Sequence, residues 1–322
     1  MEQTHGGCVT RRKMLQAGIA AAAVGAIGCK RQGAPPGVRG KAPVAILRAA
    51  SYQEDLLDRL RRGAEACGLD ARGKRVLLKP NLVECERGGV IHTQAEVLAA
   101  AVALFERLGA AEVRVGEGPG HRRDAWFLAE EAGYRTAIPG FDARFTDLNR
   151  DDVERVGPFA GEREIYLART ALAADLVVSV ARMKTHHWAG VTLSMKNLFG
   201  VVPGALYGWP KNYLHQVGIA RSAAGLYRLF PRSFAIVDGI VGMEGNGPVQ
   251  GRPRGCGVVV MGPDLAAVDA TACRVMGINP DKIEYLQLAG VGERQIEQRG
   301  ETIASVRTPF ALTPQFQHVR LA

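Results

Sequence analysis

The sequence predicts an α/β protein: a mostly parallel sheet flanked by helices, in two lobes with a cleft between them. Three observations carry this reading. After residue 42, short apolar runs alternate with stretches of helical spacing. The runs have strand length and stop at Gly, Pro or charged residues. Polar segments recur just beyond those stops, where open parallel sheets place their ligand-binding connections. The chain has 322 residues, 47% of them apolar, enough for a large buried core. No apolar run reaches the roughly 18 residues of a membrane span.

Each element has a local reason. Val44–Leu47 reads as a strand, and residues 53–67 place Leu56, Leu57 and Leu60 on one helical face. Arg75–Lys79 is a buried strand stopped by Pro80. Residues 94–108 form a helix ended by Gly109, 112–115 a strand, and 123–132 a helix ended by Gly133. Short strands and turns fill 140–168. Asp175–Val180 is the most strand-like run. Helices are expected over 192–199, 213–229, 265–276 and 280–288, strands over 234–237 and 257–260, and one strand with loops from residue 300.

The charge balance is 41 Lys and Arg against 32 Asp and Glu, a net +9. Its distribution argues against a nucleic-acid partner. Arg11, Arg12, Lys13, Lys30, Arg31, Arg39 and Lys41 stand against Glu2 alone in residues 1–42, so two-thirds of the excess lies before the folded region. Arg11-Arg12-Lys13-Met14-Leu15 followed by the small apolar run 17–28 has the form of a signal peptide (residues 1–28) and resembles a twin-arginine export signal. Ala26-Ile27-Gly28-Cys29 resembles a lipobox, with Ala26 where leucine is usual. This implies the twin-arginine machinery as a partner and a periplasmic or outer-face location. A lipidated Cys29 would hold the chain on a membrane surface; ordinary cleavage nearby, giving a soluble product, is the alternative. Residues 29–42 read as a flexible tether, and 43–322 as the α/β domain. Cys67, Cys85, Cys256 and Cys273 are isolated, with no C-x-x-C spacing, which gives no basis for an intrinsic iron–sulfur cluster.

Candidate site residues collect at the expected strand ends. Lys79 and Asn81 follow one strand, Glu117 another, Lys184, His186 and His187 a third, and Asp238 a fourth. Lys79, Asn81, Lys184, Lys196 and Asn197 are expected to bind an anion. The start of the 192–199 helix offers free amides for the same purpose. His186, with His92, and Glu117 are expected to handle protons. Asp238 and Glu244 are oxygen ligands suited to a divalent metal. Trp188, Tyr207, Trp209 and Tyr213 among glycines suggest a mobile cover over an apolar ligand portion, or plain packing.

Several of these segments together resemble the bacterial and archaeal family called domain of unknown function 362, over about residues 74–290. The segments are Val76–Val83, His92-Thr93, Gly116-Glu117-Gly118, Met183–His186, Gly190–Gly200, Val237–Pro248 and Ala267-Val268-Asp269. Some members look like iron–sulfur proteins, but this chain lacks their cysteine module. The family is similar in arrangement to nickel-pincer lactate racemase proteins, a likeness of fold only. Two functions follow as expectations. One is an exported enzyme using proton transfer or metal-assisted chemistry on a small anion. The other is a lipoprotein that binds a ligand or cofactor without turnover.

Overall fold

The computed structural model describes residues 41–84, 89–121 and 124–321. The expected leader, Cys29 and Cys85 lie outside the described residues. Among the described residues eleven strands are formed: β1 (Ala42–Arg48), β2 (Arg75–Lys79), β3 (Glu112–Glu117), β4 (Phe145–Asp147), β5 (Val153–Val156), β6 (Ile165–Ala168), β7 (Leu176–His186), β8 (Gly190–Thr192), β9 (Ser233–Asn246), β10 (Gln250–Gly262) and β11 (Ile296–Gly300). Nine of them form one sheet in the order β11-β1-β10-β9-β7-β2-β3-β4, with β8 paired to β7; β5 and β6 form a separate hairpin. Five of the eight pairings in the large sheet are parallel, so the α/β class with a mostly parallel sheet holds. The described residues all fall within one compact unit. The cavity described below lies at one edge of the large sheet.

The two-residue period of the strands sends alternate side chains into two cores. Leu77, Val177, Val237 and Val260 enter one, with the helices Ile219–Leu229 and Leu265–Val275. Val76, Leu78, Val178, Ile236 and Val259 enter the other, with the helices Leu56–Ala66 and Ala95–Arg107. Strands buried on both faces read as continuous apolar runs, which is why β2 and the first half of β7 were legible in the sequence.

Three strands differ from expectation. β7 continues past Val180 to His186, because β8 and β9 hydrogen-bond both of its edges there: Lys184 pairs with Thr192 and with Met243. Lys184 and His186 are therefore in the strand, not in a connection beyond it. β9 and β10 form a long hairpin in place of two short strands and a glycine-rich loop. The glycines mark close approaches instead: a Cβ on Gly242 would meet the Met183 carbonyl and the Phe310 ring at 2.8 Å each. β11 lies at 296–300, earlier than the expected tail strand, and pairs parallel to β1.

Candidate functional site

Strands β2, β3 and β7 run parallel, so their carboxyl ends open on the same sheet edge. A cavity of about 100 Å³ lies there, lined by Lys79, Asn81, Glu117, Lys184, His186, Thr192, Lys196, Asn197, Phe199, Lys211 and His215, among others. It is large enough to take a carboxylate or phosphate group.

Its floor is a buried ion pair. Lys79 Nζ donates to Glu117 Oε2 at 2.7 Å, to Asn197 Oδ1 at 3.1 Å and to the Pro80 carbonyl at 3.0 Å. Glu117 also accepts from the Leu82 and Gly118 amides at 3.1 and 2.9 Å. Burial lowers the Lys79 pKa against the pull of Glu117. The pair is sealed by Gly200, where any Cβ would overlap the Glu117 carboxylate and the Lys79 side chain. Asn197 donates to the Lys79 carbonyl and to Ser179 Oγ, both at 3.0 Å, and so ties its short helix to β2 and β7.

Three further lysines face the cavity. Lys184 Nζ donates only to carbonyls, of Ile91 at 2.8 Å and Pro248 at 3.3 Å. Burial first, then the charges of Arg182 and Lys196, hold its pKa well below the usual lysine range. Lys196 stands over the Phe199 ring, 3.6 Å from its centroid. Burial, then the Lys79 charge, brings it to about 7. Lys211 is 2% exposed and donates to Asn149 Oδ1 at 2.7 Å and to the Val202 carbonyl. Burial brings it also to about 7. Among the described residues, Glu117 is the single carboxylate in the lining, and it is already engaged.

His186 is fixed as a neutral ring. Its Nδ1 accepts from the Trp188 and Ala189 amides at 2.9 and 3.2 Å. Burial and the charge of Lys196 push its pKa down to about 2. The proton therefore sits on Nε2, and the ring is a hydrogen-bond donor at neutral pH. Two buried oxygens of the lining, Asn81 Oδ1 and Thr192 Oγ1, find no hydrogen-bond partner among the described residues. Native proteins rarely leave such atoms unsatisfied, and the exceptions concentrate at functional sites.

Not every expected residue converges. His92 is absent from the lining. It is half-buried near Lys184 and Arg182, and its pKa falls to about 4, chiefly through loss of solvent around the ring. Asp238 serves the core: it accepts from Arg182 Nη1 at 2.8 Å, Tyr52 Oη at 3.1 Å, the Ile240 amide at 3.2 Å and the Gln94 amide at 3.3 Å. Glu244 accepts from Arg252 across the hairpin at 2.9 Å and from the Ala311 amide at 2.8 Å. Among the described residues, no three His, Cys, Asp or Glu side chains gather as metal ligands. The first amides of the Ser194–Asn197 helix are also occupied. Asp269 accepts from Ser194 N at 2.8 Å, Ser194 Oγ at 2.5 Å and Met195 N at 3.0 Å. Burial raises the Asp269 pKa to about 7 despite these bonds.

Sequence reasoning missed Lys211, Asn149 and the part played by Asp269. Lys211 has φ +70°, an unusual backbone for a side-chain-bearing residue, and it follows Trp209-Pro210 in the aromatic stretch expected to be a mobile cover or packing. Asn149 holds it, accepting from Lys211 and from the Gly204 amide while donating to the Pro119 carbonyl. Asp269 was visible only within a motif, with no partner to give it a role.

The fold and the site together define an α/β protein with a lysine-lined pocket at the carboxyl edge of its sheet. The chain belongs to the family described as domain of unknown function (DUF362), whose profile matches residues 76–274. It is 31% identical over 255 residues to the thylakoid-associated protein sll1697 of Synechocystis sp., covering 74% of this chain and 76% of that protein. A solved structure, the lactate racemase apoprotein from Thermoanaerobacterium thermosaccharolyticum, superposes with a TM-score of 0.48 at 12% identity. The match covers 74% of this chain and 57% of that one.

Proposed function

We propose that this protein is an enzyme that seats the anionic end of a small molecule in the lysine-lined cavity and moves a proton on it. The observation that carries the reading is the charge pattern of the lining. Lys184, Lys196 and Lys211 face a cavity whose one carboxylate among the described residues already accepts from Lys79. Buried charges call for partners, and an anionic group is the counter-charge that fits this lining. Lys196, at about 7, is tuned to exchange a proton near neutral pH. His186, held neutral with Nδ1 engaged, donates from Nε2 to a ligand oxygen and is not the base. Asn81 Oδ1 and Thr192 Oγ1 offer further polar contacts to the ligand.

A panel of small carboxylates and phosphomonoesters, incubated with the protein in D2O and followed by NMR, tests this. At least one compound should exchange a carbon-bound hydrogen, and Lys196→Met should slow the exchange by roughly 10²-fold or more. Full turnover by both Lys184→Ala and His186→Ala on an identified substrate would sink the assignment. A second reading, anion binding without turnover, is favoured by Glu117, both of whose oxygens are already hydrogen-bonded. Saturable binding with no exchange across the panel would select it.

The leader supports export by the twin-arginine route and lipid attachment at Cys29. The description of the relative as thylakoid-associated fits a membrane-surface location. In cell fractionation, Cys29→Ala should move the protein from the membrane to the soluble fraction. Equal membrane association of both forms would refute lipid anchoring.

A further inference from the structure

We infer that Trp188, with the rings beside it, forms a second subsite that takes the planar apolar body of an organic anion whose charged end enters the cavity. This rests on the anion reading above and specifies its ligand. The cavity, at about 100 Å³, is small, so the body of a ligand larger than a few carbons must lie at the mouth.

The mouth is built from rings in sequence. His186 lies 5.1 Å from His187, His187 4.7 Å from Trp188, Trp188 5.9 Å from His215 and His215 6.2 Å from Phe199, centroid to centroid. Lys196 then caps Phe199. His186, His215, Phe199 and Lys196 are themselves lining residues, so the arc starts and ends in the cavity and Trp188 is its outermost member. The indole is 64% exposed, yet its backbone is pinned, because the Trp188 amide donates to His186 Nδ1. A large apolar ring in solvent beside an anion pocket, edge-on to the His187 and His215 rings, is a stacking surface. The neighbouring aromatics are spent on packing. Tyr207 stacks on Tyr213 at 4.8 Å and accepts from the Tyr166 amide, and Trp209 packs against Gly204.

Titration calorimetry with paired probes tests the subsite: inorganic phosphate against 2-naphthyl phosphate, and acetate against 2-naphthoate. The aromatic member of each pair should bind tighter. Trp188→Ala should weaken the aromatic members roughly 3- to 10-fold while leaving phosphate and acetate within about twofold. Trp188→Phe should restore most of the difference. Because the indole is exposed, the thermal midpoint should not move in either variant. Equal affinities within each pair, or no effect of Trp188→Ala on the aromatic probes, overturn the subsite and leave the anion reading standing. Absence of binding by all four probes overturns the anion reading, and this inference with it.

Discussion

Anion binding at this site should be coupled to proton uptake, and the size of the coupling follows from the lysines. Lys196 and Lys211 are each at about 7 in the free protein. A bound anion favours their charged forms and returns both toward the ordinary 10.5. Binding then requires protonated lysines, and above pH 7 each one weakens the observed affinity by about tenfold per pH unit. From pH 6 to pH 8 the dissociation constant should rise about 100-fold if both respond, and about tenfold if one does. At pH 7 each is half protonated, so about one proton should be taken up per anion bound. Sulfate is a suitable probe because its own charge is constant over this range. Calorimetry in two buffers of different ionisation enthalpy counts the protons directly. Lys196→Met and Lys211→Met should each remove about half of the pH dependence. A flat affinity between pH 6 and pH 8, with no proton uptake, would refute the placement of these lysines at the ligand.

Other outcomes follow from particular contacts. Gly200→Ala places a methyl group on the Lys79–Glu117 pair; separating a buried pair costs about 3–5 kcal/mol, which chemical denaturation would register. Asp269→Asn turns one of the two carboxylate oxygens that accept from Ser194 and Met195 into an amide donor, so stability should fall by about 1–3 kcal/mol and sulfate affinity should weaken as the helix carrying Lys196 loosens. The stability of the ligand-free protein should vary with pH through Lys211, whose folded value of about 7 lies below 10.5. The unfolded chain then binds more protons between these values, and stability rises across that window. Lys211→Met should flatten the rise in a series of thermal midpoints. Asp269, raised from 3.8 to about 7, acts with the opposite slope. Its folded form holds the extra proton, so stability falls as pH rises from 3.8 to 7.

The alternation of strands and helices was legible because it depends on local periodicity and on Gly and Pro stops, and β2, β3 and the helix Ala95–Arg107 fall where the pattern puts them. Legibility failed where tertiary pairing overrides local composition. Lys184-Thr185-His186 looks like a polar connection, yet two partner strands keep it extended. Asp238 and Glu244 look like free oxygen ligands until the sheet brings Arg182 and Arg252 beside them. The Arg252–Glu244 contact depends on a hairpin register that no short window reveals. Lys79 and Glu117 were found because strand ends are chemically conspicuous, and Asn197 because it lies near the start of an expected helix. Lys211 was not, because it reaches the pocket through a left-handed turn whose packing is set by Asn149.

The choice of lysine for this lining has its own logic. Holding Lys211 at about 7 in place of 10.5 corresponds to a cost on the order of 5 kcal/mol near neutral pH, comparable to the whole stability of many domains. Guanidinium groups would remain charged throughout, and their repulsion would have no relief. Amines can shed their protons when the cavity holds no anion and recover them when one enters. The Lys79–Glu117 pair supplies a fixed charge arrangement beneath them, sealed by Gly200. On the proposed anion reading, the site can therefore stay folded with Lys196 and Lys211 only partly charged, and become more cationic when an anion arrives. A buried lysine set used only for packing would gain nothing from this, and hydrophobic side chains of similar volume would serve such a core better.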